Sequence, residues 1–143
     1  MRKSTKIRLF APGIILGAGI AVATLGMLGV APDTHAAGTA PDQKICNDKD
    51  NPPKDAVTQG GCVVINRTKG NCMACHRIAG VPSGDIAPPL AEVSKRIPDK
   101  ARLRAQIDDA PKLNPNTVMP PFGRHGILTQ DEVDKVVEFL LTL

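Results

Sequence analysis

Cys72-Met73-Ala74-Cys75-His76 constrains this chain more than any other stretch. A Cys-x-x-Cys-His segment is the signature of covalent c-type haem attachment. The two thiols add across the vinyl groups of the macrocycle and become thioethers. A spacing of two sets both sulfurs along one edge of the ring, and the adjacent imidazole of His76 can then reach the iron from one face. A bare Cys-x-x-Cys also occurs as a dithiol redox motif or as half of a zinc site. The redox motif usually opens a helix in an alternating strand–helix pattern, which this chain lacks. A zinc site needs a second close ligand pair, whereas Cys46 and Cys62 are sixteen residues apart. The histidine directly after the second cysteine, together with an export signal, favours haem.

Residues 1 to 36 read as that signal. Arg2, Lys3, Lys6 and Arg8 form a basic n-region, and Leu9 to Ala31 is uncharged and apolar. Thr34-His35-Ala36 offers cleavage before Ala37, with cleavage after Ala37 a near equal. The apolar run is longer than a usual h-region of about 7–15 residues and could span a bilayer. An uncleaved membrane anchor is therefore the alternative. Pro12, the repeated glycines and the small residues downstream favour cleavage and a periplasmic mature protein.

Of 18 basic and 14 acidic residues, the leader holds four and one, which leaves a net charge of +1 on the remainder. The basic pI therefore gives no argument for nucleic-acid binding, and no basic aromatic patch supplies one. What remains suffices for one small domain, expected as an irregular extension over 37–54 and a core over 55–143. It has no Trp or Tyr and only Phe122 and Phe139. Aromatic rings normally fill much of such a core, and a buried haem explains the shortage.

Along the chain, Gly38 to Pro53 reads as irregular, with Cys46 inside it. Asp55 to Asn66 has a helical pattern interrupted by Gly60-Gly61, which weakens a helix unless another backbone approaches closely. Gly70-Asn71 turns the chain into the haem motif. Ile78 to Pro89 is a loop, Leu90 to Ile97 a short helix stopped by Pro98, and Asp99 the cap of a helix running to Ala110 and stopped by Pro111. Lys112 to Gly126 is a structured loop. Thr129 with Glu132 forms a capping box, Leu128 staples to Val133, and Val133, Val136, Val137 and Leu140 make one apolar stripe. No strand-period segment is present, so the domain is expected to be all-α.

His76 fills one axial position, and Met119 is the methionine left for the other. Met1 and Met27 lie in the leader, and Met73 is locked between the cysteines. Met119 stands in Val118-Met119-Pro120-Pro121-Phe122-Gly123, where prolines stiffen the backbone. A His/Met pair suits electron transfer; the alternative is a gap-filling core methionine. His125 is the rival ligand, or else a loop histidine. A proximal histidine also needs its second ring nitrogen hydrogen-bonded, and the Pro88 carbonyl, with Leu90 packing on the ring, is the candidate acceptor. The alternative is a proline turn that only stops a helix. In an exported protein, Cys46 and Cys62 are expected to form a disulfide; thiol chemistry or metal binding is the other reading.

These residues resemble the class I c-type cytochromes. More narrowly, the chain is similar to the SoxX family, the monohaem subunits of SoxAX complexes of bacterial thiosulfate oxidation. The matching stretches are Lys69–His76, Ala87–Leu90, Pro98–Ile107 and Asn114–Thr129. The resemblance implies a class I cytochrome c fold, one covalent haem c on Cys72 and Cys75, and His76 and Met119 as axial ligands. It also implies a SoxA-type haem partner, where thiosulfate is joined to a cysteine of the SoxYZ carrier, and a soluble cytochrome c as electron acceptor. Catalysis, an L-cysteine S-thiosulfotransferase reaction, is then expected in the partner; no residue here looks like a substrate acid, base or nucleophile. Class I cytochromes place a glycine and a large apolar residue four apart before the haem motif, and Gly61 and Ile65 fit, about one turn further from the first cysteine. A free-standing electron shuttle and a haem-based sensor or peroxidase are the competing functions.

Overall fold

The computed structural model describes residues 38–143; the leader, its cleavage point and the anchor alternative lie outside the described residues. Among the described residues six α-helices follow in order: Gln43–Asn47 (α1), Ala56–Ile65 (α2), Val93–Arg96 (α3), Lys100–Asp108 (α4), Ala110–Leu113 (α5) and Gln130–Leu140 (α6), with a 3-10 turn at Cys72–Ala74. Among the described residues there is no strand, only one parallel bridge between His76 and Ala87. The all-α expectation agrees with this.

The long helices begin where capping chemistry puts them. Asp55 accepts the backbone N–H of Thr58 at 2.7 Å and starts α2. Asp99 accepts from Ala101 and Arg102 at 2.9 and 3.3 Å and starts α4. Thr129 and Glu132 exchange the reciprocal bonds of a capping box at the head of α6, which satisfies N–H groups that no helical carbonyl can reach. Lys69 also pairs with Glu132, tying the approach to the haem motif to α6. Burial opposes ionisation of Glu132, but hydrogen bonds from Lys69 and Thr129 outweigh it and hold the carboxyl below its usual range. A depressed carboxylate adds stability above its unfolded-state pKa, and that part is lost as pH falls through the folded value.

The core forms where α6 crosses α2. Val133, Val136, Val137 and Leu140 are buried as their periodicity requires, with Phe139 beside them and Val64 and Ile65 opposite. The crossing depends on Gly60. A Cβ built there lies 1.9 Å from the carbonyl oxygen of Lys135, whereas one on Gly61 meets Pro41 at 2.7 Å and the Phe139 ring at 3.0 Å. Of the two glycines it is therefore Gly60 that meets the α6 backbone, while Gly61 meets side chains, and Val64 and Ile65, each four residues on from one of them, are both buried. Sequence spacing could not separate adjacent glycines whose neighbours are both apolar.

Two further expectations are corrected. The extension is not wholly irregular: Asp42 caps α1, and Cys46 sits in that helix. Pro111 does not end a helix but lies in the first turn of α5, where its missing N–H costs nothing; the break falls two residues earlier, at Asp109.

Cys46 and Cys62 form a disulfide between α1 and α2 across a separation of 16 residues. Closing a loop of about that size restricts the unfolded chain by about 3 kcal/mol. Replacing both with serine is expected to lower stability by about that amount, seen as an earlier urea midpoint, with haem content unchanged.

Candidate functional site

The haem motif is reached through a tight backbone turn. Gly70 passes so close to Val63 that a Cβ would lie 2.6 Å from its carbonyl oxygen. Asn71 then takes a left-handed conformation, φ 44°, which asparagine tolerates better than most residues. From there Cys72–Ala74 winds one turn, and the His76 N–H closes it on the Cys72 carbonyl at 2.9 Å.

A cavity of about 780 Å³ opens beside this turn, lined by Cys72, Cys75, His76, Met119 and Leu90 among others. Its remaining wall is largely apolar and includes Leu103, Ile107, Phe122 and Leu128, all buried. Cys72 and Cys75 are free thiols. Burial pushes the Cys72 thiol up to about 12, so it stays protonated at neutral pH. A redox-active dithiol needs the thiolate. Among the described residues, no group of three or more His, Cys, Asp or Glu stands together to hold a metal ion.

His76 is oriented by the backbone of the proline segment. The Ala87 N–H donates to the Cys75 carbonyl at 3.0 Å and the Leu90 N–H to the Arg77 carbonyl at 2.9 Å. These two bonds lay Ala87-Pro88-Pro89-Leu90 alongside the haem turn and bring the Pro88 oxygen 2.6 Å from His76 Nδ1. A carbonyl can only accept, so Nδ1 carries the proton, and the lone pair is left on Nε2. Arg96 braces the same segment, donating to the Pro89 carbonyl at 2.7 Å and the Ala91 carbonyl at 3.2 Å. The proline run therefore does more than stop a helix.

The methionine loop is held from two sides. The Met119 N–H donates to Thr117 Oγ1 at 3.1 Å, and the N–H groups of Gly123 and Arg124 both donate to the Asp108 carbonyl at 3.1 Å. Met73 is buried in the core and is not part of the cavity wall; His125 is exposed and also lies off the wall. The structure thus brings together Cys72, Cys75, His76, Pro88, Leu90 and Met119, and sets Cys46 and Cys62 apart as a disulfide.

Two site residues were not anticipated. Arg96 gave no sequence signal, because its partners are backbone carbonyls. Gln106 did give one: it stands three residues after Leu103 and one before Ile107, a polar residue on an apolar stripe, and its amide reaches Met119 Sδ at 3.6 Å.

Paired thiols, an imidazole with one free nitrogen, a thioether and an apolar recess fit a flat iron-bearing macrocycle. A comparison with curated proteins returns no match. The family profile described as Cytochrome c matches residues 66–143, more than half of the chain, a range that includes Cys72, Cys75, His76 and Met119. The chain therefore belongs to the cytochrome c family and is an electron-transfer c-type cytochrome whose cofactor is a covalently bound haem c.

Proposed function

We propose that the chain is the monohaem subunit of a SoxAX-type complex in the periplasm, with residues 1–36 as the export leader. The observation that carries the site assignment is that His76, with Nδ1 committed to Pro88, and Met119 line one cavity with both attachment cysteines. On this reading Cys72 and Cys75 hold the macrocycle as thioethers, and His76 Nε2 and Met119 Sδ are the axial ligands. Bound haem supplies one-electron cycling of its iron. Leu103, Ile107, Phe122 and Leu128 keep water from the ligands, and the Pro88 carbonyl holds the imidazole in one tautomer and raises its basicity.

The assignment to a SoxAX complex is supported by the resemblance of the Asn114–Thr129 stretch. Ile86 and Val118 line the cavity yet are 75% and 86% exposed, apolar side chains that a SoxA-type subunit would cover. Electrons would then pass from that subunit, where thiosulfate is joined to the SoxYZ carrier, to a soluble cytochrome c. Pull-down from the periplasm of thiosulfate-grown cells, followed by a haem stain, is expected to recover a second haem protein. Recovery of this chain alone would favour a free shuttle.

The ligand pair has its own test. The weak long-wavelength absorption band of a ferric haem with a thioether ligand is expected to vanish in Met119→Ala and to survive in His125→Ala. Absence of the band from the unmutated ferric protein, with its appearance in His125→Ala, would move the second ligand to His125.

A further inference from the structure

We propose that Gln130 is a positioning residue for Met119: it joins Arg104 to Asp108 across the return of the methionine loop, and so sets how readily the sulfur yields its place on oxidised iron to another ligand. This rests on the reading of Met119 as an axial ligand. Gln130 is the first residue of α6. Its amide oxygen accepts from Arg104 Nη2 at 2.5 Å, and its amide nitrogen donates to Asp108 Oδ1 at 2.9 Å. The partners fix which way the amide points, because a guanidinium only donates and a carboxylate only accepts. Arg104 is itself held by Asp134 at 2.6 Å. Three bonds in series therefore run from Asp134 through Arg104 and Gln130 to Asp108, crossing between α6 and α4 each time.

The series ends on the loop. A Cβ built on Gly123 would lie 1.9 Å from Asp108 Oδ1 and 3.0 Å from Gln130 Nε2, so the bare backbone of Gly123 rests against the amide–carboxylate pair. The Asp108 carbonyl also receives the N–H groups of Gly123 and Arg124. Pro120, Pro121 and Phe122 separate this point from Met119. Each proline fixes its own φ and restricts the residue before it, and Phe122 is buried. Little of a displacement at Gly123 can therefore be absorbed on the way to the sulfur. The other holds on the loop do not use Gln130: Thr117 binds the Met119 N–H, and Arg124 pairs with Asp109 at 3.3 Å. The capping box of α6 uses Thr129 and Glu132, so the helix head survives a change at position 130.

The test titrates the haem-loaded ferric protein with imidazole, which competes with the sulfur for iron. Gln130→Leu removes the tie and is expected to raise imidazole affinity about fivefold, the net worth of one hydrogen bond. Gln130→Glu keeps an oxygen for Arg104 but sets a second carboxylate against Asp108, and like charges in contact repel; its affinity is also expected to rise. Adding Asp108→Asn to Gln130→Glu exchanges donor and acceptor, restores the bond and is expected to return the affinity to that of wild type. A residue that only supported the fold would not show this reversal. Wild-type affinity in either single Gln130 variant overturns the inference, and so does failure of Asp108→Asn to reverse the effect of Gln130→Glu. Met119→Ala separates the two layers. If that variant keeps the wild-type long-wavelength band, the ligand assignment fails and takes the inference with it; if the band is lost while the Gln130 variants match wild type, the inference alone falls.

Discussion

With Cys72 and Cys75 both changed to alanine, the chain is expected to carry no covalent haem and to show no cooperative thermal transition. The argument is one of volume. Unfilled core space costs about 24 cal/mol per Å³, so a cavity of about 780 Å³ corresponds to about 19 kcal/mol. The mouth is open and water can enter, so half that figure is a fairer guide. Even about 9 kcal/mol rivals the whole stability of a small domain, about 5–15 kcal/mol. The described residues hold two aromatic side chains, Phe122 and Phe139, too few to collapse into the space. Circular dichroism melting of the double variant checks this; a sharp transition near that of the holoprotein would show that the polypeptide packs without its cofactor.

Gly60→Ala is the second large effect, and its sign is the informative part. In an exposed helix this change stabilises by about 1 kcal/mol, because alanine loses less backbone freedom. At the α2–α6 crossing the added methyl would sit 1.9 Å from the Lys135 carbonyl oxygen and 2.4 Å from its carbon. Both are backbone atoms inside a helix and cannot swing aside. The helices must separate, and Val64, Val136 and Phe139 lose contact. A loss of about 3 kcal/mol is expected, at the upper end of ordinary overpacking, measured as a lower urea midpoint for the haem-loaded protein. Gly61→Ala meets the movable edges of Pro41 and Phe139 and is expected to cost less. Equal or greater stability for Gly60→Ala would mean that the two helices do not meet as described.

The parts of this molecule legible from sequence are those fixed by local chemistry. Thr129 and Glu132 specify the head of α6 because capping needs only neighbours in the chain. The Cys72–His76 segment announces its cofactor because attachment and ligation use adjacent residues. The Pro88 carbonyl could be singled out as an acceptor, since a proline run is stiff enough to hold one. What escaped depends on distant parts of the chain. Gly60 differs from Gly61 only through the place where α6 lands. Pro111 suits a helix interior badly and a helix start well, and the choice turned on Asp109, which breaks the helix inside the expected run. Gln106 stands out only once the thioether of Met119 is seen beside it, thirteen residues away.

The acceptor for His76 is a peptide oxygen, and every amino acid carries one. No single codon change at position 88 can delete it, whereas a carboxylate or amide in that role would vanish with one substitution. The imidazole's electronic state is therefore insulated from side-chain mutation at its partner. It responds instead to whatever moves the strip of main chain between Ala87 and Leu90: an insertion, a lost pairing with Cys75, or slackening of the Arg96 brace. Variation in this protein's redox behaviour should accordingly trace to the shape of that strip and not to its lettering.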